Sequence, residues 1–286
     1  MGTLDGKVAV ITGSTRGLGL AIAQAYANEG AAVVVSSRTL KAVEQAIEDL
    51  QAHGYRASGL ACDVSDQAQV QALAVHTVET WGHFDIWVNN AALSAPYGPT
   101  VHMAVENFLP VLTANIWGTY FGSLVALRHF LPRGTGKLIN LLGAGNRKPS
   151  PNQNAYGSSK AWIRNFTMTL AQEYRSSGVG VYAFNPGLTD TDLLRRPIAL
   201  AGYEERLNAL SWVLRLWGNP PEVPAQKAVW LASSATDGKT GLDVRVGGGM
   251  ALLGGVMREG LRRLTGRAEP PVELDVTVIP PAFKTN

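Results

Sequence analysis

A short apolar strand followed at once by a glycine-rich turn constrains the fold more than any other stretch of the chain. Residues 7–12 read Lys-Val-Ala-Val-Ile-Thr, which is typical of a strand buried on both faces. Gly13, Gly17 and Gly19 follow, and apolar residues at three- and four-residue spacing then predict a helix that ends near Gly30. This order predicts a βαβ unit whose helix N-terminus can hold a pyrophosphate group.

The same alternation of strand and helix continues along the chain. Further strands are predicted at 32–38, 56–62, 84–88, 136–142, 179–184 and 242–246, and helices at 40–53, 67–80, 112–131 and 222–231. A chain of 286 residues that is 46% hydrophobic can bury the core of one large domain. We therefore predict a single doubly wound α/β domain of residues 1–250, with a parallel sheet and helices on both faces, and a C-terminal extension of residues 251–286.

Charge and composition narrow the function classes. A net charge of +3 is too small and too dispersed to indicate a nucleic-acid partner. The single cysteine, Cys62, excludes an internal disulfide. No signal peptide and no apolar run of about 18 residues is present, so we expect no integral membrane segment and a cytoplasmic protein. The histidines and carboxylates lack ligand spacing, and no metal is expected.

Residues after the second strand indicate which nicotinamide cofactor would fit. Ser37 and Arg38 stand where an acidic residue would accept hydrogen bonds from the adenosine ribose, and Arg16 lies inside the glycine turn. Two guanidinium groups and a hydroxyl suit a 2′-phosphate. We therefore expect NADP(H); the alternative is that both arginines are solvated loop charges.

Polar residues also follow the third and fourth strands. Asp63 could accept a hydrogen bond from an adenine amine, or it could close a turn before Ser65 or Asp66 caps the next helix. Asn90 and Ala91 belong to a tight turn of asparagines and small residues beside the expected cleft.

Tyr156 and Lys160 are the candidate chemical groups. In a helix they are four residues apart and share one face. The ammonium would lower the pKa of the phenol from about 10, which suits protonation of an oxygen as a carbonyl becomes an alcohol.

The order and spacing of these motifs resemble the short-chain dehydrogenase/reductase family over about residues 4–250. The motifs are residues 12–19, Asp63-Val64, Asn89-Asn90-Ala91, Tyr156 with Lys160, and Pro186-Gly187. The resemblance implies that Tyr156 is the general acid/base, that Lys160 binds the nicotinamide ribose, and that Asn115 holds a water in a proton relay. The implied cofactor contacts are Gly13, Ser14, Thr15, Arg16, Gly17, Leu18, Gly19, Ser37, Arg38, Asp63, Val64, Asn90, Ala91, Tyr156, Lys160, Pro186, Gly187, Thr189 and Thr191. A buried Asn115 that bonds main-chain atoms at a helix irregularity is the simpler interpretation, and both can hold.

One position departs from the family pattern. The family has a serine thirteen residues before the tyrosine that bonds the substrate carbonyl, and Gly143 occupies that position here. Losing a preorganised donor costs about 10²–10³ in rate. Gln153 or Asn154 could replace the donor, the substrate could be an imine or a conjugated enone that does not need it, or the protein could bind NADP(H) without turnover.

Large apolar residues between 193 and 217 would cover the substrate in this family, which favours a bulky hydrophobic substrate; they could equally pack on the body or on another subunit. Four arginines in the same region are expected at the rim: Arg195, Arg196, Arg206 and Arg215. Beyond 250, apolar and basic residues at helical spacing predict a short amphipathic helix, followed by an extended tail in which residues 274–279 could add a strand. That helix could dock on the body, cover a neighbouring active site or touch an anionic membrane.

The expected activity is NADPH-dependent reduction of a carbonyl, or the reverse oxidation of an alcohol. By analogy with the family, we expect a homodimer or homotetramer.

Overall fold

The computed structural model describes residues 2–247 and 270–283. The strands are β1 Val8–Thr12, β2 Ala32–Ser37, β3 Ala57–Ala61, β4 Ile86–Asn89, β5 Gly136–Leu141, β6 Val179–Asn185, β7 Ile198–Leu200, β8 Leu242–Arg245 and β9 Thr277–Ile279. The α-helices are α1 Gly17–Asn28, α2 Leu40–Ala52, α3 Gln67–Trp81, α4 Val105–Leu112, α5 Gly118–Phe130, α6 Asn154–Glu173, α7 Asp192–Arg195, α8 Asn208–Trp217 and α9 Glu222–Ala232.

Within this part of the chain, seven parallel strands form the main sheet in the order β3-β2-β1-β4-β5-β6-β8. The order reverses between β1 and β4, so the loops that follow these two strands diverge to opposite faces and open a crevice at their carboxyl ends. All seven predicted sheet strands are present, and the prediction of a doubly wound parallel sheet is confirmed.

Each face of the sheet carries its own apolar layer. Successive residues of a strand point to opposite faces, so Ile11 and Val33 pack in one layer while Val10 and Val34 pack in the other. Helices cover both layers, which explains why β1 reads as a continuous apolar run rather than an alternating one.

The predicted helix at 112–131 is wrong in its boundaries. Helix α4 begins earlier, at Val105, and a π-helical turn at Thr113–Trp117 separates it from α5. Single π turns inside helices are frequently found at functional sites. The irregularity brings Asn115, which is fully buried, toward the centre of the molecule.

A second, two-stranded sheet lies outside the main one. Strand β9 pairs in parallel with β7, with Thr277 opposite Ile198 and Ile279 opposite Leu200. The predicted tail strand is thus present, although it is shorter than residues 274–279. An isolated bridge between Tyr97 and Ala199 links this sheet to the segment that follows β4.

The amphipathic helix predicted from apolar residues between 253 and 264 lies outside the described residues, so the division at residue 250 stays a prediction. In residues 2–247 and 270–283, no helix is both long and apolar enough to cross a bilayer. The cytoplasmic location expected from the sequence also stays a prediction.

Candidate active site

The glycine turn after β1 leaves no room for a side chain at Gly13 or Gly19. Gly13 adopts a left-handed φ of 63°, and a Cβ at Gly19 would lie 2.3 Å from the Gly13 carbonyl oxygen and 2.4 Å from Asn90 Nδ2. No side chain caps the N-terminus of α1, so its first N–H groups remain available to an anion. The turn therefore presents bare main chain to the crevice, as predicted.

Asn90 and Ala91 brace this turn from the neighbouring strand. Asn90 Nδ2 donates to the carbonyl oxygens of Thr12 at 2.8 Å and Gly13 at 2.9 Å. The N–H groups of Asn90 and Ala91 both donate to Thr12 Oγ1 at 3.1 Å. The Asn90 amide thus shapes the turn through the protein itself.

The side chain of Ser14 points away from the crevice. It is fully buried, its hydroxyl donates to the Ile11 carbonyl at 2.6 Å, and it accepts the Ser36 N–H at 3.1 Å. Ser14 therefore joins β1 to β2, and only its main chain is free to meet a ligand. Thr15 and Leu18 lie partly exposed along the same turn.

The three residues expected around the ribose share an exposed edge. Arg38 is exposed, and Ser37 Oγ donates weakly to the Thr39 carbonyl at 3.4 Å. The Arg16 side chain is 78% exposed and lies 3.6 Å from the Asp192 carboxylate. Two guanidinium groups therefore flank the carboxyl ends of β1 and β2.

Asp63 closes a turn. Its Oδ1 accepts the Ser65 N–H at 2.9 Å and the Ser65 hydroxyl at 2.7 Å, while Asp66 caps α3 by accepting the Ala68 N–H at 2.8 Å. The turn interpretation of Asp63 is therefore confirmed. Val64 is buried.

The loop after β6 approaches the glycine turn from the opposite side. Gly187 has a φ of 73°, and its N–H donates to Asn185 Oδ1 at 2.9 Å. Thr189 is buried and donates to the Pro186 carbonyl at 3.4 Å.

Thr191, farther along this loop, lies close to the glycine turn at Gly17. A Cβ at Gly17 would lie 3.5 Å from Thr191 Cγ2. The residues from Pro186 to Thr191 and the glycine turn therefore line the two sides of one crevice.

Tyr156 and Lys160 lie in the first turns of α6, and the predicted helical pairing is present. Lys160 is buried, its Nζ donates to the Leu141 carbonyl at 3.0 Å, and it lies 5.5 Å from the centroid of the tyrosine ring. The Tyr156 ring is partly exposed. Within the described residues, its hydroxyl makes no hydrogen bond, which leaves it available to a ligand.

The pKa values of this pair differ from the sequence-based expectation. Burial raises the pKa of Tyr156 to about 12 and lowers the pKa of Lys160 to about 8. The expected fall in the tyrosine pKa is therefore wrong for this structure, because loss of solvation outweighs attraction between phenolate and ammonium. At neutral pH the phenol holds its proton and can donate it.

The side chain of Asn115 is fully used by the protein. Its Oδ1 accepts the Leu93 N–H at 2.8 Å, and its Nδ2 donates to the Leu93 carbonyl at 3.0 Å and to Ser159 Oγ at 2.9 Å. The simpler interpretation of Asn115 is therefore confirmed. Its amide fixes the segment after β4 against α6, one residue before Lys160.

A family model described as short chain dehydrogenase matches residues 7–198. The chain belongs to this family of oxidoreductases. The predicted family resemblance is confirmed, and relatives carry the names of both dehydrogenases and reductases.

Three relatives illustrate the range of this family. A 3beta-hydroxysteroid dehydrogenase 1 from Eggerthella lenta is 34% identical over 257 residues, which is 88% of this chain and 96% of the relative. The structure of a gluconate 5-dehydrogenase from Burkholderia cenocepacia, in complex with NADP and tartrate, has a TM-score of 0.77 at 27% identity and covers 87% of this chain and 96% of its own. The structure of a 3-ketoacyl-(acyl-carrier-protein) reductase from Brucella melitensis, complexed with NADH, has a TM-score of 0.76 at 27% identity and covers 87% and 99%.

These two solved structures hold a nicotinamide cofactor, NADP in one and NADH in the other. The crevice of this chain fits such a ligand: the bare turn and the uncapped N-terminus of α1 suit the diphosphate, because main-chain N–H groups and the helix dipole favour anions.

The sequence did not reveal the roles of two polar residues of this short-chain dehydrogenase, Asn89 and Ser94. Asn89 is buried and forms a hub: it accepts from Trp87 Nε1 at 2.8 Å and donates to Asn140 Oδ1 at 2.8 Å. Its place at the end of a buried strand was the available signal. Ser94 is partly exposed, and its hydroxyl donates to Gln153 Oε1 at 3.4 Å. No local motif marks Ser94.

Proposed function

We propose that this protein is an NADP(H)-dependent oxidoreductase that reduces the carbonyl of a bulky hydrophobic substrate, or catalyses the reverse oxidation of an alcohol. The observation that carries the proposal is the arrangement of a protonated, ligand-accessible Tyr156 hydroxyl beside the buried Lys160 at the carboxyl edge of the sheet. The geometry supports one proton transfer to the oxygen of a carbonyl group whose carbon accepts a hydride.

In this mechanism the nicotinamide, when bound, supplies the hydride. Tyr156 donates its phenolic proton to the developing alkoxide, and general acid catalysis of this kind contributes about 10²–10⁴ in rate. Lys160 lies under the tyrosine ring, where its ammonium stabilises the phenolate that forms. Its bond to the Leu141 carbonyl holds the ammonium at that position throughout.

A preference for NADP(H) over NAD(H) rests on Arg16 and Arg38. Both are exposed at the edge where a 2′-phosphate would extend. Positions 37 and 38 are serine and arginine, so neither carries a carboxylate that would repel the phosphate. We expect Arg38→Ala to weaken NADPH binding strongly and NADH binding little, as measured by calorimetry. Equal affinity of the unaltered protein for the two cofactors would contradict the preference.

The apolar surroundings of the tyrosine support a hydrophobic substrate. Leu93 and Phe108 pack with Tyr156 around the buried Ala95 and Val111. In the segment between β6 and α9, Leu193 and Trp212 are exposed by 40% and 41%. These side chains offer apolar surface on the substrate side of the crevice.

Ser94 and Gln153 are the best candidates to replace the missing donor at Gly143. Gln153 lies at the N-cap of α6, three residues before Tyr156. Ser94 donates to its Oε1, which leaves the amide N–H groups of Gln153 for a substrate oxygen. Asn154 is less suitable because it is exposed and its Nδ2 donates to Thr100 Oγ1 at 3.1 Å.

A second activity, reduction of an imine or a conjugated enone, is favoured by one observation. Residues 142–145 carry no hydroxyl, so this loop adds no side-chain O–H donor to the one that Tyr156 supplies. Hydride addition to an imine places the developing negative charge on nitrogen, and addition to a conjugated enone places it on an oxygen remote from the carbon that accepts the hydride. Neither substrate therefore needs a hydroxyl donor beside that carbon, as a ketone does.

One screen tests these alternatives together. The purified protein and Tyr156→Phe are supplied with NADPH and a panel of hydrophobic ketones, cyclic imines and cyclic enones, and oxidation of NADPH is followed optically. We expect turnover of at least one ketone and a loss of about 10² or more in Tyr156→Phe. Tight NADPH binding without turnover of any panel member would favour a non-catalytic NADP(H)-binding protein, and turnover that survives Tyr156→Phe would exclude the proposed acid.

We also propose that a second copy of the chain packs against α5 and α6. Trp117 at the end of the π turn, Tyr120 of α5 and Trp162 of α6 are 49%, 36% and 36% exposed, and Trp162 stacks on Phe166 with ring centroids 4.7 Å apart. Exposed aromatic clusters are typical of protein interfaces. Trp162→Glu should reduce the mass of the particle in sedimentation experiments, and an unchanged mass would contradict this interface.

A further inference from the structure

Gly143 lies directly beside the hydroxyl group of Tyr156. A Cβ atom at this position would lie 2.2 Å from Tyr156 Oη, 2.9 Å from Cζ and 3.1 Å from Cε1. Contacts below about 3 Å lie well inside the optimal separation of non-bonded heavy atoms. Any residue other than glycine at 143 therefore collides with the end of the phenol.

The backbone at this position does not itself require glycine. The φ angle of Gly143 is not positive, so alanine or serine would meet no left-handed backbone strain there. The three heavy atoms nearest to an added Cβ all belong to Tyr156.

The main chain around Gly143 cannot easily withdraw. The N–H of Leu142 donates to the Phe184 carbonyl at 2.7 Å, and Lys160 Nζ donates to the Leu141 carbonyl at 3.0 Å. The Gly143 carbonyl accepts from both the N–H and the side-chain amide of Asn146. The strand end is thus anchored on three sides, and the tyrosine ring is the part that must move.

We infer that Gly143 is a positioning residue: its lack of a side chain sets where the Tyr156 phenol lies. The Tyr156 hydroxyl occupies the space that a side chain at position 143 would fill, so any such side chain displaces the phenol. Serine at this position therefore moves the acid away instead of assisting it. The catalytic consequence rests on the proposed function, whereas the contact itself does not.

A double-mutant cycle in thermal stability tests the contact without reference to activity. Gly143→Ala, Tyr156→Phe and the double variant are compared with the unaltered protein. We expect Gly143→Ala to lower the Tm by about 3 °C or more, as overpacking does, and by less than half as much in the Tyr156→Phe background, which lacks the nearest atom. An equal loss in the two backgrounds, or no loss at all, would overturn the inference.

The second readout is kinetic and uses NADPH with a ketone that the unaltered protein reduces. Since a displacement of about 1 Å in a reacting group can cost roughly 10²-fold, we expect both Gly143→Ala and Gly143→Ser to lower kcat at least tenfold. The Kd for NADPH should change by less than about twofold, because the cofactor turn lies elsewhere. Ala144→Ser, an exposed neighbour, is the matched control and should leave kcat unchanged.

A Gly143→Ser variant with a kcat equal to or above that of the unaltered protein would overturn the inference. If the unaltered protein reduces no substrate, the proposed function fails while the stability cycle still decides whether Tyr156 depends on Gly143.

Discussion

On the cofactor side of the cleft, side chains bond main-chain atoms of the turn. On the substrate side, main-chain atoms of paired segments bond one another, and Ser211 and Arg215 add side-chain bonds to the Val272 and Pro270 carbonyls. The cofactor side comprises the loops after β1, β2 and β4, where Asn90 and Thr12 make five hydrogen-bonded contacts with the ends of β1 and β4. The proposed substrate side comprises residues 192–217 and 270–283. There, the N–H groups of Asp275, Thr277 and Ala201 donate to the carbonyl oxygens of Arg195, Pro197 and Ile279, respectively.

This difference decides what each region demands of the sequence. A bond from an asparagine amide requires asparagine, so the residue type is visible in the chain. A hydrogen bond between two main-chain groups can be made by any residue, except that proline cannot be the donor. The residue types in the sequence therefore do not indicate such a bond. The two sides of the cleft should consequently respond to different kinds of substitution.

The largest effect is expected for Gly19→Ala on the cofactor side. The added Cβ would lie 2.3 Å from the Gly13 carbonyl oxygen and 2.4 Å from Asn90 Nδ2, so the turn must open. We expect NADPH binding to weaken by about 10² or more, since the variant disturbs the preorganised main-chain groups and not only one contact. Fluorescence titration with NADPH measures this, and Gln24→Ala, exposed on the same helix, is the control. Unaltered affinity would show that the close packing of the turn is unimportant for the cofactor.

A smaller effect concerns Lys160, which lies where the two sides meet. Its pKa is lowered to about 8, so its ammonium is present below pH 8 and is lost as the pH rises through that value. The rate of carbonyl reduction should therefore be level below pH 8 and fall by about tenfold per pH unit above it, because the charge that stabilises phenolate disappears. Lys160→Met should be slow and show no inflection near pH 8. An unaltered profile in this variant would assign the inflection to another group.

The smallest effect is expected on the substrate side. Thr277→Pro removes the N–H that donates to the Pro197 carbonyl at 3.0 Å. Val278 pairs with Ala199, but successive N–H groups of a strand point to opposite sides, so the N–H of Val278 points away from β7 and Val278→Pro is the matched control. We expect Thr277→Pro to raise the KM for the substrate roughly fivefold, which corresponds to the loss of about 1 kcal/mol from one hydrogen bond, and to leave the Kd for NADPH unchanged.

Equal effects of the two proline variants would show that pairing of β9 with β7 does not support the substrate side. A loss of NADPH affinity in Thr277→Pro would show that the two sides of the cleft are not independent.

The extent of sequence-based prediction follows the same division. The strands of the main sheet and the glycine turn were predictable because they depend on apolar runs and on residue types within a few positions of each other. The π turn around Asn115 was not, since it depends on bonds to Leu93, which lies 22 residues earlier.

The direction of the pKa shift of Tyr156 could not be predicted from the sequence either. The spacing of Tyr156 and Lys160 indicates attraction, but burial of both groups, which no local pattern reports, reverses the direction of the shift. The partner of β7 was suggested only as an extended tail, because its pairing joins residues 79 positions apart, from Ile198 to Thr277.

The late position of β9 has a consequence for biosynthesis. A chain leaves the ribosome from its N-terminus, and units that are complete in sequence fold first. The main sheet from β1 to β8 is available before residues 270–283 are made, but β7 obtains its partner strand only from these last segments. A nascent or prematurely terminated chain can therefore assemble its cofactor side before β7 has a partner strand. Synthesis of residues 270–283 is then the step that converts a nucleotide-binding intermediate into a chain with both sides of the cleft formed.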